Sequence, residues 1–116
     1  MPSVGQLSIR RQRDGASNTL ALDGELDLVT APELEDTIAA LCVDGAHELV
    51  LDMRRVAFMD SSGLRTVLAG MDMCRQAGCD FMLIGDTGAC RRVFELTGVI
   101  DDLPLREPDE LSDRPI

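Results

Sequence analysis

The sequence predicts an α/β domain in which a largely parallel, mixed sheet is packed with helices. Apolar residues alternate with polar ones in some segments and recur every three or four positions in others, and the two kinds of segment take turns along the chain. The length of 116 residues suits one domain with its own core. The predicted order is β-β-α-β-α-β-α-β, with right-handed crossovers between parallel strands.

The first two strands are predicted to form a β-hairpin. Leu7 and Ile9 alternate with polar residues, and the segment 14–18 (Asp-Gly-Ala-Ser-Asn) provides a turn. Leu20 and Leu22 then resume the period of two. The hairpin makes this one pair of strands antiparallel.

The first helix is predicted from about Ala31 to Cys42. The sequence Thr30-Ala31-Pro32-Glu33 has the form of a capping box, in which the Thr30 side chain accepts from the amide of Glu33 and Glu33 reaches back. Asp44 and Gly45 end the helix. The short apolar run Leu49-Val50-Leu51 with Met53, bounded by charges, is typical of a strand buried on both faces.

The second helix is predicted from Ser62 to Ala77, where apolar residues recur at helical spacing until Gly78. A buried strand at 81–84 follows. We expect a third helix capped by Asp86-Thr87, with a core face made of Ala89, Val93 and Leu96. Leu103 and Leu105 suggest a last short strand. The predicted domain therefore covers 1–106, and 107–116 is a short acidic C-terminal tail.

The charge of the chain excludes several classes of partner. The net charge is −10, so phosphate backbones and anionic membrane surfaces are repelled. Arg10, Arg11 and Arg13 form a small basic cluster within this acidic chain. No apolar run approaches the roughly 20 residues of a membrane helix, and the start does not resemble a secretory signal. We expect a soluble, cytoplasmic monomer that binds neither nucleic acid nor membrane.

The four cysteines, Cys42, Cys74, Cys79 and Cys90, have no metal-binding spacing. They form no Cys-x-x-Cys pair, and His47 is the only histidine. We therefore expect no metal and no cofactor. The cysteines are interpreted as small buried residues. A redox switch through a pair such as Cys74 and Cys79 is the alternative.

Two junctions between strand and helix are the candidate sites, because ligands and partners of α/β sheets gather where strands pass into helices. They lie at 24–30 and 58–63. The second contains Asp60-Ser61-Ser62-Gly63. A serine at a helix start can simply be a cap. A cap needs only one residue, however. The helix N-terminus also favours a phosphate, and Gly63 would let a partner approach closely.

Enzymatic readings of these junctions find little support. The Gly-x-Ser-x-Gly elbow of serine hydrolases is absent, and His47 is the only candidate base. A P-loop needs a lysine, which the chain lacks. Asp23, Glu25, Asp27 and Asp60 could meet as an acidic metal site, although such residues are more often solvated or capping. We expect no catalytic activity.

Two motifs resemble those of the STAS domain family. The segment 24–32 (Gly-Glu-Leu-Asp-Leu-Val-Thr-Ala-Pro) is similar to the family's first signature. The segments 50–53 and 58–64 are similar to its central strand and phosphorylation loop. The resemblance covers about residues 6–106, and it is closest to anti-sigma factor antagonists of the SpoIIAA and RsbV type.

This resemblance implies a partner switch. The unphosphorylated antagonist binds an anti-sigma factor, a serine kinase with a GHKL-type ATP site, and so frees the sigma factor. Phosphorylation breaks the complex, and a PP2C-type phosphatase reverses the mark. The phosphoacceptor position corresponds to Ser61, with Ser62 as the second candidate and cap. Asp27 corresponds to an acidic position beside that serine, where it orients the loop or the hydroxyl.

The remaining partner-binding candidates are Asp60 and Gly63 in the junction and Arg65 on the following helix. Arg65 is either presented to the partner or simply solvated. The alternative function is a STAS protein that does not cycle, acting as a scaffold of a stress-sensing complex or as a subunit of a lipid or anion transporter.

Overall fold

One mixed sheet of five strands organises the computed structural model, which describes residues 6–85, 88–98 and 104–106. The strands lie in the order β1-β2-β3-β4-β5; β1 and β2 are antiparallel and the later pairs are parallel. The element bounds are β1 Leu7–Asp14, β2 Ser17–Leu26, α1 Ala31–Val43, β3 Glu48–Met59, α2 Ser61–Ala77, β4 Asp80–Ile84, α3 Gly88–Leu96 and β5 Leu105–Arg106. The predicted fold class and element order are confirmed.

The hairpin of β1 and β2 is also confirmed. Asp14 pairs with Ser17, so the turn is tighter than predicted and consists of Gly15 and Ala16. β1 lies at one edge of the sheet and has β2 as its only neighbour among the described strands. The basic cluster at Arg10, Arg11 and Arg13 is therefore on an exposed edge strand.

The central strands are buried on both faces, as their continuous apolar runs predicted. Successive side chains of a strand point to opposite faces. Leu49, Leu51 and Leu83 belong to the main core, whereas Val50, Met82 and Ile84 form a second, smaller cluster. The main core also takes buried side chains from the three helices, namely Leu34, Ile38, Leu41, Leu64, Val67, Cys74, Cys90 and Phe94.

The first helix begins where predicted, but the predicted capping box is wrong. Thr30 occupies the N-cap position without making a side-chain cap hydrogen bond. Its hydroxyl instead donates to the carbonyl of Glu25 at 2.7 Å, and it accepts from the amide of Asp27 at 3.0 Å. The Thr30 hydroxyl therefore hydrogen-bonds with the backbone of the preceding loop. The sequence pattern had predicted a hydrogen bond with the first turn of the helix.

The other differences from the predictions concern lengths and one helix face. β3 is 12 residues long and continues to Met59, well past the predicted apolar run. In α3 the buried residues are Cys90 and Phe94. Of the predicted core face, Val93 is partly buried against the core, whereas Leu96 is 78% exposed, so the prediction was wrong at Leu96. α2 ends as predicted at Gly78, whose left-handed backbone (φ 74°) favours glycine. Asp86, Thr87, Leu103 and the tail 107–116 lie outside the described residues.

Candidate functional site

The two predicted junctions lie side by side at one end of the sheet. β2 and β3 are parallel neighbours, and Leu26 at the end of β2 pairs with Met59 at the end of β3. The amide of Asp60 donates to the carbonyl of Leu26 at 3.3 Å, which joins the second junction directly to the first. The loops that follow the two strands therefore form one surface.

The first junction is held in shape by the buried side chain of Asp27. One carboxylate oxygen accepts from the amides of Val29 at 3.0 Å and Thr30 at 3.1 Å. Asp27 is 5% exposed, and these hydrogen bonds stay within its own loop. The prediction placed Asp27 beside Ser61 to orient the loop or the hydroxyl. The structure shows it orienting the first loop, with no described hydrogen bond to Ser61.

The second junction is capped by Asp60. Its backbone is extended (φ −110°, ψ −171°), and its Oδ1 accepts from the amides of Ser62 at 2.9 Å and Gly63 at 3.0 Å. A carboxylate in this position satisfies two helix amides and complements the positive end of the helix dipole. Ser62 was predicted as the cap, and this prediction is wrong because Asp60 occupies that role and α2 begins at Ser61.

The two serines differ in exposure. Ser61 is exposed at the first position of α2, whereas Ser62 is only partly exposed. Within the described part of the chain, no hydrogen bond engages the Ser61 hydroxyl. Arg65 is also exposed, one helical turn further on, and residues four apart lie on the same helix face. The hydroxyl and the guanidinium therefore face the same side of the molecule.

Gly63 serves the internal packing of the domain. We predicted that it would let a partner come close, but the residue is buried. A Cβ at this position would lie 2.5 Å from the carbonyl oxygen of Leu26 and 2.7 Å from Cγ of Met59. The absent side chain is what allows α2 to start against the ends of β2 and β3.

Three exposed apolar side chains surround the junctions, and the sequence analysis did not identify them as site residues. Leu28 and Val29 are 72% and 71% exposed, and Phe58 is 50% exposed. They account for three of the five large apolar side chains exposed among the described residues. One indication was available in the sequence. Leu28 and Val29 are adjacent apolar residues in a loop, outside the periodic spacing of any helix or strand. We call Leu28, Val29 and Phe58 the apolar rim.

The four acids proposed as a metal site do not form one. Asp27 and Asp60 direct their carboxylates to backbone amides, while Asp23 lies 3.9 Å from Arg55 at the surface. Over residues 6–85, 88–98 and 104–106, no group of three or more His, Cys, Asp or Glu side chains is placed to hold a metal ion.

His47 lies too far from Ser61 to serve as its catalytic base. His47 immediately precedes β3, and Ser61 lies just beyond the other end of that strand. A strand of 12 residues spans roughly 35 Å or more at about 3.3 Å per residue, so the only histidine cannot act as a base for this hydroxyl.

A groove lies beside the first junction. Its volume is about 710 Å³, and it lies between the ends of β1 and β2 and the start of α1. The acids Asp23, Glu25 and Glu33 line it, and Ser61 does not. None of the described helices has the length and apolar composition of a membrane span.

The fold is that of a small α/β domain with one mixed sheet, and comparison with known proteins identifies its family. The STAS domain model matches residues 9–109. The chain belongs to the STAS domain family.

Several relatives are anti-sigma factor antagonists. The anti-sigma-B factor antagonist of Staphylococcus aureus (strain NCTC 8325 / PS 47) is 31% identical over 89 residues, which cover 77% of this chain and 82% of that protein. The crystal structure of an anti-sigma factor antagonist from Mycobacterium paratuberculosis is 29% identical, with a TM-score of 0.81 and coverage of 93% and 91%.

The phosphorylated form of SpoIIAA, a Bacillus cell fate determinant, shares the fold. Its TM-score is 0.72 at 23% identity, with coverage of 92% of this chain and 98% of that one. At this identity the similarity concerns the architecture alone.

Proposed function

We propose that this protein is an anti-sigma factor antagonist controlled by phosphorylation of Ser61. In the unphosphorylated form it binds an anti-sigma factor, a GHKL-type serine kinase, in the cytoplasm and so releases a sigma factor. The kinase then phosphorylates Ser61 and the complex dissociates. A PP2C-type phosphatase restores the binding form.

One observation carries this proposal, namely an exposed serine hydroxyl at the start of α2 beside an apolar rim. Apolar side chains exposed as a group mark interaction surfaces. Leu28 and Val29 follow β2, and Phe58 pairs with Glu25 near the end of β3, so the rim flanks the junction that bears Ser61. A partner seated on the rim would cover the hydroxyl. The relatives named anti-sigma factor antagonists support the choice of partner class.

The position of the hydroxyl explains how a phosphate would break the complex. The amides of Ser62 and Gly63, which would otherwise receive a phosphate at the helix start, already donate to Asp60. The phosphate would add about −1.5 to −2 charges next to that carboxylate, so it would project outward, into the interface. A charge left unpaired in an interface costs roughly 2–5 kcal/mol, which lowers affinity by about 30- to 5,000-fold.

The test incubates the full chain with ATP and each candidate anti-sigma kinase of the source organism, followed by intact mass measurement and phosphosite mapping. We expect one phosphate on Ser61, none on Ser61→Ala, and an unchanged yield on Ser62→Ala. Ser8→Ala, at an exposed serine on the edge strand β1, is the matched control.

Binding measurements separate the switch from simple modification. Ser61→Asp should bind the kinase at least about tenfold more weakly than Ser61→Ala, since the charge enters the interface. Equal affinity of the two variants would contradict the switch. No phosphate from any kinase, with a folded protein, would favour a scaffold or transporter subunit.

A further inference from the structure

Two thiols lie in contact near the ends of α1 and α2, away from the junctions at which these helices begin. Cys42 is the last but one residue of α1, and Cys74 lies near the end of α2. Their Sγ atoms are 3.8 Å apart although the residues are 32 positions apart in sequence. Cys79, just before β4, also contacts the Cys74 thiol. The sequence analysis gave Cys74 and Cys79 as its example of a redox pair.

The three thiols differ in their access to solvent. Cys42 is partly exposed, whereas Cys74 and Cys79 are 0% and 5% exposed. A small oxidant in solution therefore reaches Cys42 first, and the buried sulfur of Cys74 is in contact with the Cys42 sulfur. Oxidation-sensitive cysteines commonly have this arrangement of one accessible thiol and one resolving thiol.

We propose that Cys42 and Cys74 are a redox pair that a peroxide converts into a disulfide joining α1 to α2. The Cys42 thiolate attacks the peroxide, takes one oxygen to become a sulfenic acid, and releases the other oxygen as hydroxide. The Cys74 sulfur then attacks the Cys42 sulfur. The sulfenic hydroxyl leaves and, with the proton of Cys74, forms water. In total two thiols and one hydrogen peroxide give one disulfide and two waters.

The geometry permits this bond with a small movement. A disulfide has an S–S length of about 2.05 Å, so the two sulfurs must approach by about 1.8 Å from their 3.8 Å separation. Burial and the neighbouring thiols of Cys79 and Cys42 raise the pKa of Cys74, which explains why Cys42 rather than Cys74 is the first group to react.

The cross-link would restrict the two helices that start at the candidate functional site. α1 follows the loop of Asp27 and α2 follows Asp60, so tying their distal ends together fixes the relative placement of both junctions. Closing a loop of this length removes enough unfolded-state entropy to raise the melting temperature by on the order of 10 °C.

The experiment treats the fully reduced chain with hydrogen peroxide and measures free thiols, intact mass and disulfide-linked peptides without reductant. We expect the loss of two thiols and a peptide pair linking Cys42 to Cys74. Cys42→Ser and Cys74→Ser should both abolish the link, while Cys90→Ala, in α3, retains it. In Cys74→Ser, a sulfenic acid on Cys42 should be trapped by dimedone.

Two outcomes would overturn the proposal. Four free thiols after peroxide treatment would show that the pair does not react, and a link between Cys74 and Cys79 would show that a different pair does. Loss of the link in Cys42→Ser can be interpreted because this variant is expected to fold. A partly exposed position near a helix end tolerates serine, and circular dichroism can check the fold.

Discussion

Replacing Gly63 with alanine tests whether the two junctions really depend on close packing. Alanine is the better helix former by about 1 kcal/mol, so on propensity alone the variant should be more stable. The structure opposes this gain with three contacts. The new Cβ would lie 2.5 Å from the Leu26 carbonyl oxygen, 2.7 Å from Met59 Cγ and 2.9 Å from Leu26 Cγ.

The first of these contacts decides the sign. The Leu26 carbonyl belongs to the backbone at the end of β2, and it accepts from the amide of Asp60, so it cannot move without breaking the link between the junctions. Overpacking of a core costs about 1–3 kcal/mol, and the lost hydrogen bond about 1 kcal/mol more. We expect Gly63→Ala to lower the free energy of unfolding by about 2 kcal/mol after the helix propensity is counted.

Urea unfolding followed by circular dichroism measures this difference. Gly70→Ala is the matched control in the same helix, because its Cβ would meet the end of the flexible Ile38 side chain at 2.8 Å rather than backbone. Gly70→Ala should therefore cost less than Gly63→Ala. If Gly63→Ala is as stable as the native chain, the packing argument is refuted.

Two further predictions concern pH and the apolar rim. Burial raises the pKa of Asp52, but hydrogen bonds from the Arg54 side chain and amide outweigh it and hold the pKa below its usual value of 3.8. The stabilisation is therefore complete above about pH 5 and is lost as the pH falls through the lowered pKa; acid titration of stability should be shallower in Asp52→Asn, and an unchanged curve would contradict this assignment. Replacing Leu28 or Phe58 with serine should weaken kinase binding at least about tenfold without lowering the melting temperature, whereas Val43→Ser, 86% exposed at the far end of α1, should leave the affinity unchanged.

Periodicity and turn chemistry were enough to predict the element order, the hairpin and the position of both junctions where strands pass into helices. Parallel strands end at the same edge of a sheet, so Leu26 and Met59 had to bring their following loops together. These features depend on patterns spread over many residues, and each residue contributes little to the result.

The predictions that failed depend on single side chains. Thr30 fits a capping box by sequence, but its hydroxyl bonds with the loop of Asp27. Ser62 and Asp60 are both good caps, and only the extended backbone at Asp60 decides between them. The contact of Cys42 with Cys74 results from helix packing between residues 32 positions apart, which local spacing cannot show.

The arginines of β1 have a consequence for the sheet as a whole. An edge strand offers unpaired backbone groups to any other strand, and proteins commonly block this by placing charge there. Arg10, Arg11 and Arg13 lie on the edge strand in three of four consecutive positions. A second copy adding to this edge would bring its own guanidinium groups against them. Three of the eleven basic residues of this acidic chain thus lie where they discourage edge-to-edge pairing of sheets, and salt would screen this protection.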